Sequence, residues 1–133
     1  MKIKLTDIRS GSYAAVYKNQ RAAITFNNSD IEKALNEEYL EERSFQGDLD
    51  ILRSDWDNEP NFEASINKQK KYHIDRIAYI IKQKLFEIPV LLYKDINPLK
   101  DYLDGGHRIW AAKYLGKNEI EAFVVVWIKK TMN

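Results

Sequence analysis

The sequence predicts an α/β (α+β) domain: one mixed β-sheet flanked by helices. Three observations lead there. The second half of the chain alternates helix and strand signals, in the order helix–strand–strand–helix–strand. The length of 133 residues suits one core, so residues 1–133 are expected to form a single compact domain. Hydrophobic residues make up 44% and charged residues 31%, a balance that can bury a core and still cover a surface.

The elements follow in order. Residues 2–8 read as a first strand, with Ile3, Leu5 and Ile8 inward. Arg9-Ser10-Gly11-Ser12 is a turn cluster. Residues 13–17 and 21–26 suit a hairpin about Lys18-Asn19-Gln20, although their alanines would also suit a helix. Ser29 with Glu32 three residues on predicts a capping box, and Ile31, Ala34 and Leu35 recur at helical spacing over residues 30–42. The acidic residues Glu37, Glu38, Glu41 and Glu42 read as a solvated face. Residues 44–65 show no sustained period, so they hold either hidden structure or a functional loop; Trp56 and Phe62 argue against disorder.

A second helix is predicted over residues 67–85, with Ile74, Ile77, Ala78 and Ile81 on its buried face. Residues 88–93 form a buried strand with Pro89 at its start, where a missing N–H is tolerated. Residues 95–98 turn. Residues 101–104 are a short strand, and a helix over 107–115 ends at Gly116 as its C′ residue. The last strand, 120–128, is nearly continuous in apolar residues and is expected at the centre of the sheet.

With no cysteine, disulfides, thiolate nucleophiles and zinc–thiolate sites are excluded, and a cytosolic (cytoplasmic) setting fits. A formal net charge of +1 provides no global field for nucleic acid. The N-terminal residues alternate without the apolar run of a signal peptide, and the longest apolar stretch, 122–128, is too short to span a bilayer. Neither secretion nor membrane insertion is expected.

The chemistry concentrates at Asp104-Gly105-Gly106-His107-Arg108. A strand ends in a carboxylate, two glycines permit a tight turn and close approach of a ligand, and a His and an Arg open a helix. Helix N-termini offer N–H groups and partial positive charge to anions, and Arg adds a forked donor suited to phosphate. His107 can donate a hydrogen bond or move a proton; Asp104 can hold magnesium, orient His107 or act as a base. The same residues also suit a plain sharp turn with a helix cap and a surface cation.

Residues 72–126 resemble the ParB/sulfiredoxin superfamily. The resemblance rests on His73-Ile74-Asp75-Arg76-Ile77, Ile88-Pro89-Val90-Leu91-Leu92, Asp104-Gly105-Gly106-His107-Arg108-Ile109-Trp110-Ala111-Ala112, Leu115-Gly116, Ile120 and Val124-Val125-Val126. Leu5-Thr6-Asp7-Ile8 is similar to the opening of ParB-like domains, while residues 11–65 match poorly, those at about 44–65 standing as an insert. The resemblance implies that the glycine turn cradles the phosphates of a nucleotide, ATP or CTP, with Mg2+. Sulfiredoxins carry a Cys where Gly106 stands, so sulfinic-acid repair is excluded. ParB partition proteins carry Gly-Glu-Arg-Arg, whose Glu helps hold magnesium with CTP; Gly106 and His107 replace the Glu-Arg of that motif here. A helix-turn-helix domain after the fold, as a complete partition protein carries, is not expected from these residues. The nearest local pattern is Asp-Gly-x-His-Arg, which occurs in free-serine kinases and in small phage-type ParB-like proteins. It implies that Asp104 serves phosphoryl transfer, while a second carboxylate has only Glu59 and Glu87 as candidates. It also implies that the face bearing His73 and Arg76, one helical turn apart, looks toward the nucleotide; a solvent-facing polar pair is the plain alternative.

The expected function is therefore nucleotide binding with phosphoryl transfer or hydrolysis. Gly105, Gly106, His107, Arg108, His73 and Arg76 would hold the nucleotide, Asp104 and His107 would be catalytic, and Asp104 would hold the metal. The alternatives are a DNA-binding, nuclease-type or regulatory protein of a mobile element, and a catalytically inactive interaction module with a protein partner. Lys68, Lys70, Lys71, Lys82 and Lys84 make a basic stretch that suits a solvated face better than a nucleic-acid track. Trp110 and Tyr114, at i and i+4, suit core packing better than base stacking.

Overall fold

In a computed structural model of the chain, residues 1–9, 13–37, 49–94 and 101–126 are described, with side chains except at 49–51, 86, 101–104 and 126. In chain order the elements are β1 (Lys2–Lys4), a 3-10 turn (Leu5–Asp7), β2 (Tyr13–Tyr17), β3 (Gln20–Ile24), α1 (Asn28–Leu35), α2 (Leu49–Asp57), α3 (Phe62–Lys82), a second 3-10 turn (Leu85–Glu87), β4 (Val90–Lys94), β5 (Asp101–Asp104), α4 (Gly106–Tyr114) and β6 (Glu119–Val126). No described helix is long and apolar enough to cross a membrane. The turns expected at residues 9–12 and 95–98, the acidic residues beyond Glu37 and the end of the last strand fall wholly or partly outside the described residues. Contacts divide the chain into two compact units, Met1–Gly11 with Lys84–Asn133, and Ser12–Gln83.

The first unit holds a mixed four-stranded sheet in the order β1-β6-β4-β5. β6 runs antiparallel to β1 and parallel to β4, and β5 returns antiparallel to β4. The last strand is thus interior, as its apolar run predicts. Only one of its faces is covered: Ile120 and Ala122 are buried, whereas Phe123 and Val125 are exposed. The covered face gathers Ile3, Val90, Leu92, Ile120 and Ala122 beneath Ile109 and Ala112 of α4, with Leu5 and Ile8 at one end. The first strand is shorter than expected because Leu5 starts a 3-10 turn, which still directs Leu5 and Ile8 inward. Helix α4 ends in a Schellman arrangement: the Gly116 N–H donates to the Lys113 carbonyl and the Lys117 N–H to the Ala112 carbonyl, both at 3.0 Å. Gly116 takes the left-handed φ of 71° that this closure requires.

Among the described residues, the second unit packs the β2–β3 hairpin and helices α1, α2 and α3. The hairpin pairs Tyr13 with Ile24 and Tyr17 with Gln20. The capping box of α1 is Asn27 with Asp30, not Ser29 with Glu32. The Asn27 side chain accepts from the Asp30 N–H, and the Asp30 carboxylate from the Asn27 N–H. Ser29 instead donates its hydroxyl to Asn27 at 2.6 Å. The helix leaves its regular path after Leu35, earlier than its acidic tail suggested. Residues 44–65 carry hidden structure where they are described: α2, and the first turn of α3, whose N-cap Asn61 accepts from the Ala64 N–H. Helix α3 thus begins five residues before the predicted start. Its first buried positions are Ser65 and Gln69, polar residues that conceal the period.

Those two polar residues tie the unit together. In the ladder with β3, the N–H and C=O of Val16 point to the outer edge of β2, because the pair Val16–Arg21 alternates with the hydrogen-bonded pairs. The Gln69 amide takes both: the Val16 N–H donates to Oε1 at 3.1 Å, and Nε2 donates to the Val16 carbonyl at 2.9 Å. Nε2 also reaches Ser65 Oγ, which itself donates to the Trp56 carbonyl at 2.8 Å. One side chain thereby acts as a third strand for a hairpin that would be marginal alone. Gln69→Leu should therefore cost about 2–4 kcal/mol, since it strands two backbone groups at a covered edge. Urea unfolding measures the loss, and hydrogen exchange should show protection vanishing first at Val16. Retained protection there would show that the hairpin is held by other means.

Candidate functional site

Strand β5 delivers Asp104 opposite Leu91 of β4, and the chain then turns through Gly105 into α4. Gly105 is the N-cap at φ 104°. A Cβ there would lie 2.6 Å from Val90 Cγ1 and 3.1 Å from Arg108 Nη2, so only glycine lets the backbone settle onto the core strand. Gly105 brings no side-chain oxygen to the helix start, and the first turn of α4 contains no acidic residue. Gly106 is buried, and the Ile109 N–H closes the first helical bond onto the Gly105 carbonyl at 3.0 Å.

Arg108 reaches back toward β4. Its Nη1 donates to the carbonyls of Ile88 and Pro89 at 3.2 and 2.9 Å. Those bonds hold the guanidinium beside the helix start, where the helix already concentrates partial positive charge. His107 is half-buried in the same turn. The Asp104 carboxylate lies outside the described side chains. Among the described residues, no three His, Asp or Glu side chains gather as a metal site.

The predicted site residues therefore divide. Asp104, Gly105, Gly106, His107 and Arg108 form one continuous turn in the first unit, whereas His73 and Arg76 belong to the second. The His73 ring stacks on Tyr13 at 4.0 Å between centroids and meets Tyr72 edge-on at 5.2 Å. Burial pushes its imidazole down to about 4, so it is neutral at physiological pH. Arg76 lies over the Tyr79 ring. Of the two candidate second carboxylates, Glu59 is engaged by Lys68 at 2.7 Å, and Glu87 is exposed on the second 3-10 turn.

Two further expectations change in structural terms. The basic stretch is partly neutralised: Lys68 pairs with Asp55 and Glu59, and Lys71 with Glu37 and Asp75. The hydrogen bonds that Lys68 donates to Asp55 and Glu59 raise its pKa. Trp110 and Tyr114 are half-buried rather than core, because Ile109 and Ala112 own the inward face of α4. Lys113 lies over the Trp110 ring, and burial lowers its pKa. The sequence reading missed Arg53 and Asp57, which line a pocket with His73. Their spacing of four was the available signal, hidden because residues 44–65 show no sustained period.

No protein-family model, curated protein or solved structure matches this chain.

Two predictions follow from these contacts. Gly105→Ala should destabilise the fold by roughly 2–4 kcal/mol, combining backbone strain with overpacking. In a double-mutant cycle with Val90→Ala the two losses should sum to more than the loss of the double variant, because the shorter neighbour removes the 2.6 Å contact with Cγ1 and leaves only the 2.8 Å one with Cβ. Strict additivity would exclude that contact as the cause. The second concerns acid. Unfolded, His73 takes a proton near its ordinary 6.5, and folded only near 4, so the unfolded state binds more protons between these values. Stability should be full above about pH 6.5 and fall as pH drops toward 4. Between pH 7 and 4.5 the wild type should lose about 2 kcal/mol more than His73→Phe in urea unfolding. Parallel losses would exclude His73 as the source.

Proposed function

We propose that the chain binds a nucleotide through its phosphates at the Gly105–Arg108 turn. One observation carries this reading: a glycine-started helix with no side-chain cap and no acidic residue in its first turn has an arginine guanidinium fixed beside it. Helix dipole and cation have the same sign there, and an anion is their natural complement. The resemblance of residues 72–126 to ParB/sulfiredoxin-like proteins supports the same ligand class, with ATP and CTP as candidates. Arg108 acts first as a positioning residue, since both hydrogens of Nη1 are committed to backbone carbonyls. Hydrolysis or phosphoryl transfer would add His107 as proton carrier and Asp104 as base or magnesium ligand.

A second reading has its own support. The bonds from Arg108 to Ile88 and Pro89 brace the turn whether or not anything binds. On that reading the chain is a non-catalytic module that keeps the motif for its fold.

Thermal shift and calorimetric titration with ATP and CTP, with and without Mg2+, separate the two. The nucleotide reading expects a raised melting temperature with at least one nucleotide, with His107→Ala weakening binding by about tenfold at little cost in stability. No shift with either nucleotide at millimolar concentration leaves the bracing role alone. Phosphate release in the same samples reports hydrolysis.

A further inference from the structure

The second unit contains a pocket of about 420 Å³, within the range of small-molecule sites. It lies against the outer side of β2 and is walled by Trp56, Tyr72 and His73. Trp56 and Tyr72 meet at 5.5 Å with their planes tilted by 59°, and the His73 ring is fixed by Tyr13 on one face. Gln69 also lines it, but its amide is committed to Val16. Among the described residues, the charged lining is Arg53 and Asp57, both exposed and one helical turn apart on α2. Neither forms an ion pair or hydrogen bond among the described residues, with each other or with anything else. Among the described residues, the aromatic chamber thus carries one cation and one anion on neighbouring i,i+4 positions of one helix.

That arrangement selects for chemistry. A phosphate-bearing ligand would meet Asp57 as well as Arg53, and like charges would oppose it. A purely apolar ligand would leave both charges unused. A ligand with a flat ring, a carboxylate and an ammonium satisfies every part: the ring packs on Trp56 and Tyr72, the carboxylate accepts from Arg53, and the ammonium donates to Asp57. The imidazole of His73 adds no charge at neutral pH. We propose that this pocket binds an aromatic zwitterion, with an aromatic α-amino acid as its simplest form. The site is separate from the Gly105 turn, and the proposal does not depend on nucleotide binding.

Saturation-transfer NMR on the full chain with L-phenylalanine tests it. Transfer to the ring protons is expected, together with a shift of the Trp56 indole resonance. Phenylacetate, which lacks the ammonium, and phenethylamine, which lacks the carboxylate, should each bind about tenfold more weakly, and L-serine should give no signal. Arg53→Gln and Asp57→Asn should each weaken phenylalanine by a similar factor without changing the melting temperature, since both side chains are exposed. No transfer from phenylalanine at millimolar concentration overturns the proposal. So does equal binding of phenylacetate and phenethylamine, serine binding as well as phenylalanine, or affinity unchanged in both variants.

Discussion

The first unit depends on one close approach, the backbone of Gly105 against Val90. Val90 is 1% exposed and opens β4, the strand that β5 and β6 flank. For α4 to cover that core, the chain leaving β5 must reverse directly over Val90, and the space allows no Cβ. The left-handed glycine makes the reversal, and the rest follows from its position. Ile109 and Ala112, three residues apart, land on the sheet face, while Arg108 reaches the carbonyls that precede β4. The turn is therefore held from below by packing and from the side by hydrogen bonds. A helix start held on two sides presents its backbone in a fixed direction, as an anion site requires.

The second unit solves a different problem. Its two-stranded hairpin has an open edge, and an open edge both weakens a hairpin and invites unwanted pairing. A helix rarely closes such an edge, because helical backbone groups are already spent. Gln69 does so with a side-chain amide, which has the donor and acceptor of a peptide group at similar spacing. The cost is a buried polar residue ahead of the apolar stripe that begins at Ile74, offset by Ser65 and the Trp56 carbonyl completing the network.

That device also explains what the sequence hid. Strands β4 and β6 and helix α4 were legible because their inward positions are apolar, and β5 because Gly105 follows it directly. The start of α3 was not, because Ser65 and Gln69 stand where the helical period calls for apolar side chains. Helix α2 was obscured in the same region, with Trp56 as its buried anchor amid charged neighbours. The capping box was misplaced by two residues because Asn27, Asn28 and Ser29 are all good cap residues; only geometry shows that Asp30 reciprocates Asn27. At the candidate site, the glycine turn and helix start were visible as a pattern. The engagement of Arg108 with Ile88 and Pro89 was not, since it joins residues about twenty apart through backbone atoms that carry no sequence signature.

The anchoring of Arg108 also bounds what the turn can supply. A free arginine would pay rotamer entropy to close on a phosphate, whereas one already pinned by two carbonyls has lost that freedom in folding. The pinned cation costs less to recruit, but it has fewer donors left to give. A helix terminus contributes roughly 0.3–1 kcal/mol to an anion at an exposed site, and up to about 2 in partly buried geometry. Such terms amount to a fraction of the 8 kcal/mol or so behind micromolar affinity. A nucleotide bound here must draw most of its affinity, and all discrimination between bases, from contacts beyond the glycine turn. If a nucleotide binds there, the turn would set where its phosphate sits, and residues that meet sugar and base would set which nucleotide it is.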